Sequence, residues 1–173
     1  RNKITVLHCT TAYPTPITSV NLNAMRAIRG ELNVAIGYSD HTLGIEAAIL
    51  ATALGAQIIE KHFTLDKNFS DFRDHQLSAD PPEMRNLVQQ IRLTSLMLGK
   101  NQKQVERCEE DLVTAIRRSI VAGRDMSAGD CIAMSDLTWL RPSGGLVPGQ
   151  EEALIGKILK REVSFGEQLS TAD

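Results

Sequence analysis

The sequence predicts an α/β fold with a parallel sheet, followed by a small all-β module. Three observations carry that expectation. Short apolar, β-branched runs alternate with segments of helical period up to residue 100. Beyond residue 112 the chain changes to short β-like runs and turn residues, and it repeats itself. Two histidines, His41 and His62, each close one of the apolar runs. Ligands bind at the carboxyl ends of parallel strands in such folds.

In order, ITVLHCT (4–10) reads as a strand buried on both faces, with His8 as a core residue. The loop TAYPTPITS follows; its two prolines stiffen it, and Tyr13 stands at its start, where it either lines a pocket or simply packs. Ser19 is placed to cap a helix bearing Leu22, Met25 and Ile28, ended near Gly30. VAIGYS is the second strand, GIEAAILATAL a helix stopped by Gly55, and AQIIEKHF the third strand. Short connections between these elements imply right-handed βαβ units. Three strands cannot close a barrel, so on this reading the rest of such a sheet is lost or lies upstream. Residues 66–80 read as a polar loop. Asp80 then caps a long helix with Pro81 in its first turn, Met84, Leu87, Val88, Ile91 and Leu98 on its apolar face, and Gly99 at its end. A polar stretch, 101–112, reads as a linker.

Side chains two apart on a strand share a face. Ser39 and His41 therefore point one way, as do Glu60 and His62, while Lys61 points away. Adjacent parallel strands would gather these four on one surface. Imidazoles beside a carboxylate on rigid strand ends suit a divalent metal; two hydrogen-bonded structural histidines are the alternative. Asp74, after Arg73, is either a binder of substrate hydroxyls or a solvated loop charge.

The terminal segment, 113–173, holds RDMSAGDCIAMSD (124–136) and REVSFGEQLSTAD (161–173). Each copy predicts a tight Ser-x-Gly-acid turn between strands, and two copies predict a pseudo-symmetric module. Between them TWLRPSGGLVPGQ carries Arg141, a candidate fork for a carboxylate or sugar hydroxyls, or a plain surface arginine.

The chain has 173 residues, 42% hydrophobic and 23% charged, with a formal net charge of −2. That balance provides no electrostatic footprint for nucleic acid or a membrane surface. No apolar run is long enough for a transmembrane helix. Cys9, Cys108 and Cys131 are odd in number and widely spaced, which fits free thiols in a reducing, cytoplasmic setting. The chain opens on Arg1 and runs almost directly into a strand, as a piece of something longer would.

The motifs LHCTTAYPTP, IGYSDHT, EKHFTLDK and RDHQLSADP, followed by a module holding WLRP, resemble the sialic acid synthase family over essentially the whole chain. That family includes the N-acetylneuraminate, legionaminate and spore-coat polysaccharide synthases. The resemblance implies the last three βα units of a (β/α)8 TIM barrel over residues 1–100, then a β-clip (SAF, antifreeze-like) domain. The first five barrel strands would be absent. It further implies a transferase that condenses phosphoenolpyruvate with an N-acetylated amino sugar and releases phosphate. A divalent metal, manganese or magnesium, would sit on His41 and His62. Ser39 would contact phosphate, Glu60 would bind or transfer a proton, and Tyr13 and Asp74 would line the sugar pocket. Arg141 would enter the barrel of a partner in a domain-swapped homodimer. The chain departs from the family at SDFRDH, where some members read PGPDH, and at Thr11, where some carry Asn. The phosphoenolpyruvate-binding lysines would come from the absent half, so the chain alone is expected to be inactive. Two other functions stay open: a stand-alone SAF module that binds carbohydrate or ice, and a different metal-dependent barrel aldolase or 3-deoxy-acid synthase.

Overall fold

The computed structural model describes residues 3–173. Two compact units, Arg1–Asn101 and Gln102–Asp173, divide the chain. In the first, strands β1 (Thr5–Cys9), β2 (Ala35–Asp40) and β3 (Ile59–Lys61) form a parallel sheet in the order β1-β2-β3. Helix α1 (Ala24–Leu32) links β1 to β2, and α2 (Glu46–Ala53) links β2 to β3. The register runs from Thr5 opposite Ala35 to Cys9 opposite Ser39, then Tyr38 opposite Ile59 and Asp40 opposite Lys61.

β2 is central, and burial follows from that. Ile36 and Tyr38 pack into the helix layer with Val20, Met25 and Ala51. On the other face Gly37 lets the strands close up: a Cβ there would lie 2.7 Å from both the Ile58 carbonyl and Leu7 Cδ2. β1, expected to be buried on both faces, is only half-buried, because β2 is its one described neighbour in the sheet.

Other boundaries differ from expectation for local reasons. Ser19 ends a 3-10 turn, Ile17–Ser19, and caps no helix. Asn21 takes φ 46°, which breaks the helical path, so α1 starts only at Ala24. It runs through Gly30 and stops at left-handed Asn33, whose N–H bonds the Arg29 carbonyl. The third strand is three residues long; Phe63 makes only an isolated bridge with Ala79. The polar loop contains a short helix, α3 (Arg73–Leu77). The long helix α4 (Pro81–Leu98) starts as expected, with Asp80 Oδ1 accepting the Glu83 N–H at 2.9 Å. Leu87 is buried, whereas Val88 and Leu98 are exposed. Among the described residues no helix is long and apolar enough to cross a membrane.

In the second unit the stretch read as a linker carries a 3-10 helix, Arg107–Leu112, closed by a capping box between Glu106 and Glu109. The short helix α5 (Val113–Ile116) follows. Strands β4 (Ser119–Ala122) and β5 (Leu137–Leu140) pair antiparallel, and isolated bridges complete the module. Ile120, Met126, Ile132, Leu154, Leu159, Val163 and Leu169 form its core. The two repeats are joined face to face: Met126 and Val163 exchange both backbone hydrogen bonds, at 2.9 and 3.0 Å. Each repeat builds the same clamp. Arg124 Nε donates to Asp136 at 2.8 Å, and Arg161 Nε to Asp173 at 2.6 Å. Ser127 N–H reaches Asp130, and Ser164 N–H reaches Glu167. Gly129 and Gly166, at φ 96° and 81°, make the turns that bring these acids round.

The clamps predict acid lability. The Arg124 hydrogen bond, then the Ala133 N–H, hold Asp136 below the usual carboxylate range. The Ser164 N–H and Arg161 do the same for Glu167, as the Gly149 N–H, its own N–H and the Trp139 indole do for Glu151. Burial pushes Asp173 up, but hydrogen bonds from Arg161 and Ser170 outweigh it. A depressed folded value means stabilisation that is complete above the unfolded value, about 4. It is lost as the pH falls through the folded values. Denaturant midpoints followed by Trp139 fluorescence should be flat from pH 7 to about 5 and fall below about 4.5. A midpoint that stays level to pH 3 would remove the clamps as a source of stability.

Candidate active site

The site forms where β2 and β3 end. Ser39 is opposite Glu60 in the ladder, and Ser39 Oγ donates to Glu60 Oε1 at 2.6 Å. One residue past each strand stand His41 and His62, their ring centroids 5.2 Å apart and nearly perpendicular. Tyr13 completes the group, stacked on His41 at 4.1 Å and edge-on to His62 at 5.7 Å. The loop holding Tyr13 is pinned to β2: Thr15 N–H donates to the His41 carbonyl at 2.9 Å, and the Thr15 hydroxyl to the carbonyls of Ala12 and Thr10.

His41 is buried, and its Nδ1 lies 3.1 Å from the Thr10 carbonyl. A carbonyl only accepts, so Nδ1 carries a hydrogen, and in the neutral tautomer the lone pair is on Nε2. A backbone carbonyl on the second nitrogen is also the arrangement that orients a metal-ligating histidine. His62 is half-buried, with Nδ1 3.8 Å from Asp74 Oδ2, too far for a hydrogen bond. The short helix α3 thus brings Asp74 to the rim of the cluster. Among the described residues no group of three or more His, Cys, Asp or Glu is set to hold a metal. An ion held here would have two imidazoles, His41 and His62, and would take its remaining ligands from water or substrate oxygens.

Tyr13, Ser39, His41, Glu60, His62 and Asp74 all lie in the first unit and gather at one end of its sheet. Arg141 belongs to the second unit and is exposed just after β5. His8 bonds the Val20 carbonyl through Nε2 at 3.0 Å, a structural role. Two features went unread in the sequence. Cys9, opposite Ser39 in the ladder, places its Sγ 3.7 Å from His41 Nδ1. Lys61 does point away from the histidines, but it forms a buried ion pair with Asp40, Nζ to Oδ2 at 3.0 Å. Burial, and next the Asp40 charge, push the neighbouring Tyr38 hydroxyl well above its ordinary value. The alternation that grouped the four site residues also groups Asp40 with Lys61, and that was the available signal.

An α/β unit with a parallel sheet, followed by a small β module, is also what the comparisons with known proteins return. Residues of this chain superpose on N-acetylneuraminic acid (sialic acid) synthetase from Leptospira borgpetersenii serovar Hardjo-bovis with TM-score 0.59 and 36% identity. That match covers 63% of this chain and 38% of that one. A spore coat polysaccharide biosynthesis protein E from Chromobacterium violaceum matches with TM-score 0.72 and 26% identity, over 98% of this chain and 52% of that one. N,N'-diacetyllegionaminic acid synthase of Campylobacter jejuni is 42% identical over 158 residues, 91% of this chain and 47% of that protein. The NeuB family profile matches residues 1–103 and the SAF domain profile residues 117–173; the chain belongs to the NeuB family. It spans about half the length of the curated relatives it matches.

Proposed function

We propose that this chain is part of a synthase that joins phosphoenolpyruvate to the open-chain aldehyde of an N-acetylated, mannosamine-type sugar. The products are a nine-carbon 2-keto acid and phosphate. The observation that carries this reading is the Tyr13–His41–His62 ring cluster beside the Ser39–Glu60 pair, at the carboxyl ends of adjacent parallel strands. On this reading the sheet is the last three βα units of a (β/α)8 barrel. The half-buried β1 and three-residue β3, each with one described neighbour, support it.

In the reaction the enol carbon of phosphoenolpyruvate attacks the aldehyde carbon, whose oxygen takes up a proton. Water adds to the carbon bearing the phosphate ester and loses a proton, and the resulting tetrahedral centre expels phosphate. His41 and His62 would hold a divalent ion, manganese or magnesium, which when bound polarises the aldehyde. Ser39 contacts the phosphate with its hydroxyl. Glu60, in hydrogen-bond reach of that hydroxyl, is placed to take the proton of the attacking water. Tyr13 provides a wall for the sugar, and Asp74 at the rim accepts its hydroxyls. Arg141 reaches the sugar or a carboxylate in the site of a second copy, so the working unit is a homodimer.

Phosphate release by the protein extended to a complete barrel tests the reading. The assay contains phosphoenolpyruvate, manganese and a panel of N-acetylated mannosamine-type sugars. Sugar-dependent release is expected, and the best sugar identifies the branch of the family. No release with any sugar would point to another barrel chemistry. Residues 1–173 alone should release none.

A further inference from the structure

We infer that the buried Asp40–Lys61 pair is the positioning device of this site, fixing the stagger of the two strand ends and with it the distance between the His41 and His62 rings. The inference rests on the proposed function for its purpose, but not for its geometry. Both side chains are almost wholly buried, 0% and 2% exposed. Asp40 and Lys61 face each other on the last rung of the β2–β3 ladder. Each lies between two site residues, in Ser39-Asp40-His41 and Glu60-Lys61-His62. Past that rung the histidines are tied to different neighbours: His41 to Thr10 and Thr15, and His62 through its carbonyl to the Ala79 N–H at 2.8 Å. The ion pair spans the gap between them from the opposite face.

Both members of the pair are also hydrogen-bonded beyond the ion pair itself. Asp40 Oδ1 accepts the Thr42 N–H at 2.9 Å, the Thr42 hydroxyl at 2.8 Å and the Tyr38 hydroxyl at 3.4 Å, while Oδ2 takes Lys61. Lys61 Nζ donates a second bond to the Thr42 carbonyl at 2.6 Å. Burying two charges carries a desolvation cost that an apolar pair of similar size would avoid. What the charges add is direction. An apolar contact tolerates sliding, whereas a slip of one residue would turn every side chain to the wrong face and strand both charges. A three-residue strand has few other rungs to resist such a slip.

The test uses the complete protein with isotope-labelled histidine, comparing wild type, H41A and the apolar pair D40L/K61M. Nuclear Overhauser contacts between the two imidazoles report the geometry, and manganese titration followed by its EPR signal reports the site. D40L/K61M should stay folded, since apolar replacement of a buried pair is often neutral. It should lose the ring-to-ring contact and bind manganese roughly 10–100-fold more weakly, the scale of lost outer-shell support. Unchanged ring contacts and manganese affinity in folded D40L/K61M would overturn the inference. If that variant does not fold, D40N/K61Q decides by the same two signals, with about a tenfold loss expected. A wild type that shows the ring contacts but binds no manganese would sink the metal reading alone, and the ring contacts of the variant would then decide the positioning role.

Discussion

His41→Ala in the complete protein should abolish sugar-dependent phosphate release, by roughly 10²–10³-fold or more, the scale of losing one electrostatic stabiliser of the transition state. The structure refines the experiment, because the two ring nitrogens face different tasks. Nδ1 is occupied by the Thr10 carbonyl, and Nε2 is the nitrogen left for chemistry. His41→Asn keeps a side-chain N–H near the position of Nδ1 and removes the atom at Nε2. It should therefore match wild type in thermal midpoint more closely than the alanine variant while being equally inactive. An active Asn variant would assign the function to the Thr10-facing side of the ring and remove His41 as a metal ligand. Release that survives in the alanine variant would keep the reaction but take His41 out of it.

A mixture of one impaired and one inactive variant should regain activity if Arg141 works across a dimer. Arg141→Ala alone is expected to lose about 10–100-fold in kcat/KM, the worth of a hydrogen bond to a charged group. His41→Ala is inactive for the reason above. Subunits of the two, unfolded and refolded together in equal amounts, form mixed dimers about half the time. Each mixed dimer has one site with both His41 and Arg141 intact, so the mixture should show about a quarter of wild-type activity. No recovery, in a sample shown by size to be dimeric, would confine Arg141 to its own subunit or remove it from the site.

The part of the site legible in the sequence is the part that a period of two controls. Ser39, His41, Glu60 and His62 could be grouped because alternate residues on a strand share a face, and the structure does bring them together. The same period puts Asp40 and Lys61 together on the opposite face, and the register between the strands sets them on one rung. Asp74 lies near His62 because α3 turns the chain, and a five-residue helix has too short a period to be read in a polar stretch. Helix α1 was misplaced because a single left-handed residue, Asn21, outweighs a favourable cap at Ser19. Asp80, by contrast, was read correctly, since cap, proline and apolar period all agree there. In the second unit the repeat was visible as letters. Its meaning, two arginine clamps whose repeats are joined through Met126 and Val163, appears only in the folded chain.

The reciprocal bonds between Met126 and Val163 have a bearing on how the second unit comes into being. Much of the module's backbone is paired across a long stretch of sequence: the Ala122 N–H donates to the Glu167 carbonyl, the Gly129 N–H to that of Leu159, and the Met126 N–H to that of Val163. As a growing chain leaves the ribosome, the first repeat is exposed well before its counterpart has been made. Its long-range hydrogen bonds can form only after loop closure over the intervening Gly/Pro segment. The module is therefore expected to form in one cooperative step, and a chain broken off between the repeats would leave the quality-control machinery a fragment with unpaired strand edges.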